Sequence, residues 1–239
     1  MTDEYKKIDK NTNIFLIHGI GSSKLTFLPL KIYLNKYGFN NIYPLSYDVN
    51  NKEFSKSLDR INEQILEILD NQDDEIVVIG QSYGGIICNN LHRIGRNISK
   101  SICICSPLHG AKIVGLIENN IPTFVSNILK NKALEFLRDK DLEEKPPHDF
   151  HTISFGWFNT EFDGCVYKHE TVLDPEKHTH ISWCDHRIGF LDIRLFNEVY
   201  NILNSDVLVV NKKEEKVEEK GKEEKGKEEK GREEKYSDL

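Results

Sequence analysis

Between residues 12 and 205, short unbroken apolar runs alternate with longer stretches whose apolar residues recur at helical spacing. The runs 14–18, 41–45, 75–79, 98–105, 150–155 and 179–183 have the length and character of buried strands. The stretches 24–37, 52–69, 83–93 and 188–203 read as helices, the first ended by Gly38. In the second, Phe54, Leu58, Ile61, Ile65 and Leu69 share one face. Residues 111–140 read as further short helices. Strands that alternate with helices pair in parallel and need cover on both faces. Their crossovers are right-handed. The expected fold class is therefore α/β, with a mostly parallel central sheet and helices on both faces.

The pattern stops after residue 210. From there the chain reads NKKEEKVEEKGKEEKGKEEKGREEKYSDL, a GKEEK-like repeat almost without apolar side chains. Such a segment buries too little to offset the entropy of ordering. The expected organisation is a domain over residues 1–210, followed by a disordered tail over 211–239. The tail is read as solubilising, with docking to a protein partner as the alternative. It contributes 10 basic and 11 acidic residues, which leaves 22 basic and 28 acidic in the body. A body of net charge −6 does not suit nucleic acid or an anionic membrane surface. The five cysteines are odd in number and lack CxxC spacing, which argues against a disulfide framework or a zinc finger. Cys103 and Cys105 are expected to face the same way in the core. The polar first 13 residues lack a signal-peptide apolar region, and no run is long enough to span a membrane. The expected location is cytoplasmic.

The chemistry concentrates at Gly80-Gln81-Ser82-Tyr83-Gly84, a G-x-S-x-G sequence between an apolar strand and a helix. A sharp strand-to-helix turn presents such a serine at the carboxyl end of the sheet, where open α/β folds bind ligands. Gly80 and Gly84 let strand and helix approach each other. A tetrahedral oxyanion needs two N–H donors. The Tyr83 amide, next to the serine, is one candidate. The Ile20 amide is the other, in the His18-Gly19-Ile20-Gly21 loop after the first strand.

Here the chain resembles the α/β-hydrolase superfamily, in particular its lipase- and esterase-like serine hydrolases. Three further segments within residues 12–205 carry the resemblance. His18-Gly19-Ile20-Gly21 is similar to the family's HGxG loop. Ser106-Pro107-Leu108-His109-Gly110 is similar to its S/T-P-x-x-G segment. Cys184-Asp185-His186-Arg187 resembles the segment that carries the catalytic histidine. The resemblance implies an α/β-hydrolase fold and a small cap or lid within about 111–148. It also implies a triad in the chain order Ser, Asp, His.

Ser82 needs a base to take its proton. Of nine histidines, His186 is the candidate, because it lies between an apolar strand and the last helix, at the sheet edge of Ser82. Asp163, in an Asp-Gly turn after the preceding strand, is the expected acid. Asp174 and Asp149 are the alternatives, while Asp185 is too close in sequence to orient His186. Residues 156–162 make the acid loop longer than a minimal one. His109 is a candidate pocket residue or a structural hydrogen-bonding group.

His178 and His180 form an H-x-H pair, but the following Asp185 is misplaced for a metallo-hydrolase pattern, so no metal is expected. There is no G-x-G-x-x-G or P-loop. The expected activity is hydrolysis of a small-molecule or lipid carboxylic ester without a cofactor. The alternatives are thioesterase, amidase or acyltransferase chemistry on the same residues, and a non-catalytic binding module.

Overall fold

The computed structural model describes residues 5–48, 53–110 and 145–208. The expected cap, apart from 145–148, and the expected tail lie outside the described residues. Residues Lys6–Val207 form one compact unit. Among the described residues its sheet has six strands in the order β3-β2-β4-β5-β6-β7. They are β2 (Asn13–Ile17), β3 (Ile42–Leu45), β4 (Ile76–Gln81), β5 (Ile98–Ile104), β6 (Asp149–Gly156) and β7 (His178–Ser182). Every pairing is parallel. Two-residue strands β1 (Tyr5–Lys6) and β8 (Val207–Leu208) form a separate ribbon.

Alternation along the strands explains the two cores. Ile14, Leu16, Val77, Ile79, Ile102 and Ile104 point to one face, where α1 (Leu28–Lys36) and α5 (Ile193–Asn204) supply Leu30, Leu34, Leu195, Phe196 and Val199. Phe15, Ile17, Val78 and Cys103 point to the other. There α2 (Phe54–Ile68) and α3 (Tyr83–Leu91) supply Leu58, Ile61, Ile65, Ile86 and Ile87. With both faces covered, period-2 strands read as unbroken apolar runs. Pro44 is tolerated because β3 is an edge strand.

Three expected helices are divided, one of them where a 3₁₀ turn over residues 92–94 follows Tyr83–Leu91. Residues 24–27 form a 3₁₀ turn before α1, whose start carries Pro29. Residues 188–191 form another before α5, because the Asp192 carboxylate accepts the Arg194 N–H as an N-cap.

The short helix α4 (Lys168–Thr171) leads into β7, whose His178 ring lies between the hydroxyls of Thr152 and Ser154 at 2.8 and 3.0 Å. Burial first, then the charges of Lys168 and His180, push His178 down to about 4. An unfolded histidine titrates at about 6.5. The folded chain therefore binds fewer protons between these values. This contribution is intact above the unfolded pKa and declines as pH falls toward 4. Partial solvent screening limits the effect to about 1 kcal/mol. His178→Gln should flatten the fall in melting temperature between pH 7.5 and 4.5 (about neutral to about the folded pKa). An unchanged pH slope in thermal melts would refute this role.

Candidate active site

Ser82 sits between β4 and α3 with φ 50° and ψ −120°, a conformation rare for any residue but glycine. The strand and helix cross so closely that neighbouring side chains are forbidden. A Cβ on Gly80 would lie 2.4 Å from the Gly84 carbonyl oxygen, and one on Gly84 would lie 2.1 Å from the Ile17 oxygen. The glycines of the G-x-S-x-G sequence are thus explained by packing, and the strain at Ser82 follows from the turn they permit.

The loop after β2 abuts this turn. A Cβ on Gly19 would lie 3.0 Å from Ser82 Cβ and 3.6 Å from its Oγ. Backbone therefore reaches the serine where a side chain would block it. Gly21 has φ 70°, which favours glycine. His18 is buried and structural. Its Nδ1 lies 2.9 Å from the Gly19 carbonyl oxygen, and its ring stacks on Tyr47 at 4.8 Å. The Tyr47 hydroxyl donates to the His18 carbonyl at 2.8 Å. Burial lowers the His18 pKa, partly opposed by its backbone hydrogen bond. Tyr83 begins α3, in the first turn, where amides have no intrahelical acceptor. Its phenol is buried and pushed up to about 12 by that burial, so it keeps its proton near neutral pH.

Asp163 and His186 meet directly. His186 Nδ1 lies 2.7 Å from Asp163 Oδ2. The other carboxylate oxygen accepts the N–H groups of Cys165 and Val166 at 2.8 and 2.7 Å. The His186 amide donates to the Asp163 carbonyl at 2.9 Å. The acid is buried and fixed at both oxygens, and the imidazole is fixed through the acid. Gln81, adjacent to Ser82, extends Nε2 to the His186 carbonyl at 3.5 Å. Ser82 and the Asp163–His186 pair thus occupy the same carboxyl edge of the sheet, with the hydrogen-bonded part of the constellation at Asp163 and His186.

The alternative acids are engaged elsewhere. Asp174 accepts from Glu176 N–H at 3.1 Å and pairs with Lys145. Asp149 begins β6, at the opposite edge of the sheet, and pairs with Lys100 and Lys177. Asp185 accepts the Arg187 amide at 2.7 Å. His109 makes a structural link: its Nε2 lies 2.6 Å from the Val172 carbonyl oxygen, and its amide donates to Glu170. The rings of His178 and His180 both engage the Ser154 hydroxyl.

Cys105 departs from expectation. Cys103 packs on one face of the sheet and Cys105 on the other. β5 ends at Ile104, and Cys105 has φ 48°, so strand alternation no longer applies. Its thiol faces the candidate acid and base: the ligand atoms of Cys105, Asp163 and His186 lie within 4.8 Å of one another. Burial, and then the Asp163 carboxylate, push the thiol pKa up. The fully buried Cys105 therefore stands as a neutral thiol behind the Asp163–His186 pair. Nothing in the sequence around it signals this contact, because the residue reads as the end of an apolar strand.

The chain has the α/β-hydrolase fold. Mature lipase BlEst2 of Bacillus licheniformis superimposes with a TM-score of 0.62 at 16% identity, covering 84% of this chain and 95% of that one. A meta-cleavage product hydrolase of Pseudomonas fluorescens gives a TM-score of 0.57 at 12% identity, over 84% of this chain and 93% of that one. Esterase RhEst1 of a Rhodococcus species gives 0.54 at 13%, over 84% and 94%. No protein-family model matches the chain, and comparison with curated proteins found no match.

Proposed function

We propose that this protein is a serine hydrolase that cleaves small-molecule or lipid carboxylic esters through an acyl-enzyme. The observation that carries the reading is a serine held at φ 50° on the same sheet edge as a buried, doubly anchored Asp163 bonded to His186. A lipase and an esterase share this fold.

In this mechanism Ser82 Oγ attacks the ester carbonyl as His186 Nε2 takes its proton. Asp163 holds the tautomer with the proton on Nδ1 and stabilises the imidazolium. The carbonyl oxygen becomes an oxyanion facing the Ile20 and Tyr83 amides. Gly19 keeps that approach free of a side chain. Collapse breaks the C–O bond, and the alcohol leaves with the proton from His186. Water then attacks the acyl-enzyme with His186 again as base, and collapse returns the proton to Ser82 and frees the acid. No cofactor enters any step.

A fluorophosphonate probe tests the reading. Such a probe phosphonylates an activated serine, so the full-length chain should be labelled on Ser82, and Ser82→Ala should not be labelled. A folded wild-type chain that resists the probe would overturn the proposal.

A further inference from the structure

Both tryptophans of the chain stand in one exposed aromatic cluster on the loops that carry Asp163 and His186. Trp157 is 54% exposed, Phe158 57% and Trp183 64%. Phe158 stacks on Trp157 with centroids 5.8 Å apart and meets Trp183 edge-on at 5.4 Å. The Trp183 amide donates to the Phe158 carbonyl at 2.9 Å, which ties the two loops together. Phe158 and Trp183 have φ 53° and 62°. Bulky residues rarely hold such backbone, and here it presents large rings to water. The core beneath is closed without them, by Phe155, Ile181 and Cys184. An exposed apolar cluster that the core does not need marks an interaction surface.

The charges around the cluster narrow what it can meet. Lys168 pairs with Glu161 at 3.0 Å, and Arg194 with Asp192 at 2.6 Å. Asp185 and Arg187 add one charge of each sign. Arg194 also donates to the carbonyls of Ser182 and Trp183, and its sequence neighbour Ile193 is exposed, as is Leu191. The rim therefore has no net charge to attract an anionic lipid, and the acidic body opposes one. Tryptophan combines an apolar ring with an N–H that stays hydrated, which suits the boundary between acyl chains and water.

We propose that Trp157, Phe158 and Trp183 dock this protein on a lipid surface without net charge. The sheet edge bearing Ser82, Asp163 and His186 then lies at that surface. This docking goes beyond the proposed hydrolysis and does not depend on it.

The test uses the full-length chain and vesicles of diether phosphatidylcholine, which has no ester to cleave. The expected result is flotation with the vesicles and a blue shift of tryptophan emission. The variant Phe158→Asn/Trp183→Asn suits the left-handed backbone, because asparagine tolerates it. It should lose about tenfold or more of the vesicle partition, from the apolar area removed, while keeping turnover of a soluble ester. If that variant misfolds, vesicles with brominated chains put the same question to the wild type, since bromine quenches only tryptophans that enter the acyl region. Absence of flotation and quenching, or binding that requires anionic phosphatidylglycerol, overturns the proposal. So does flotation undiminished in the folded variant. Emission that is already blue-shifted without lipid and reverts on dilution overturns it too, because a second copy then covers the rings. Lost vesicle binding with Ser82 still labelled defeats the docking alone, and lost labelling with vesicle binding intact defeats the hydrolase reading alone.

Discussion

Asp163→Asn should lower kcat/KM on a soluble p-nitrophenyl ester by about 10³–10⁴ while leaving the fold intact. The asparagine oxygen can still accept the Cys165 and Val166 amides, as Oδ1 does now. Its amide NH₂ then faces His186 Nδ1, where the carboxylate oxygen stood at 2.7 Å. Two donors cannot share that contact, so the proton moves to Nε2. An imidazole protonated at Nε2 cannot take the Ser82 proton. Ser82→Ala should cost at least as much, and the double variant should be little worse than Ser82→Ala alone, because the residues act as a unit. Asp174→Asn, which loosens only the Lys145 pair and a 3₁₀ cap, should leave turnover within about twofold. Comparing the two variants assigns the acid. A large loss in Asp174→Asn with little in Asp163→Asn would refute the triad.

The sheet was legible chiefly because its inner strands β4 and β5 are buried on both faces. Runs such as Ile76-Val-Val-Ile79 carry a signal strong enough to place all six strands within one or two residues. Helix ends were less so. Asp192 reads as one more polar position in a periodic stretch, yet its side chain caps α5 and divides the expected helix. At the site, Ser82 was legible because two glycines and a strand-to-helix boundary constrain its turn. Asp163 and His186 were readable from a turn signal, a place between strand and helix and a chain order, but their contact was not. What joins them is the loop 156–162, where Trp157 N–H donates to the Phe162 carbonyl at 2.7 Å and folds the chain back toward β7. Loop geometry of that kind is set by tertiary hydrogen bonds and leaves no periodicity. Cys105 and the aromatic cluster were missed for a related reason: positive φ at non-glycine residues cancels the alternation from which facing is inferred.

Asp149→Asn should destabilise the protein by about 3–5 kcal/mol, the usual cost of orphaning a buried charge. Lys100 is fully buried in β5, and its ammonium lies 3.0 Å from the Asp149 carboxylate. It also donates to the Ile202 carbonyl at 2.6 Å and the Ser205 hydroxyl at 2.7 Å, so it clasps the end of α5 to the sheet. Burial alone would raise the Asp149 pKa. Hydrogen bonds from His151 and Lys177 and the Lys100 charge outweigh it and hold the carboxyl well below its usual range. The carboxylate's contribution is therefore complete above the unfolded pKa of about 3.9 and is lost as pH falls through the lower folded value. Removing the charge at neutral pH leaves Lys100 with neutral hydrogen-bond acceptors and the weaker pull of the Asp206 charge. Against a total stability of about 5–15 kcal/mol, the urea midpoint should fall by more than about 1 M. Lys100→Met/Asp149→Asn should recover part of the loss, because it removes the orphaned charge along with its partner. Both variants should keep full turnover per folded molecule, since Asp149 opens β6 at the edge opposite Ser82. A midpoint unchanged in Asp149→Asn would show that this carboxylate does not balance the lysine.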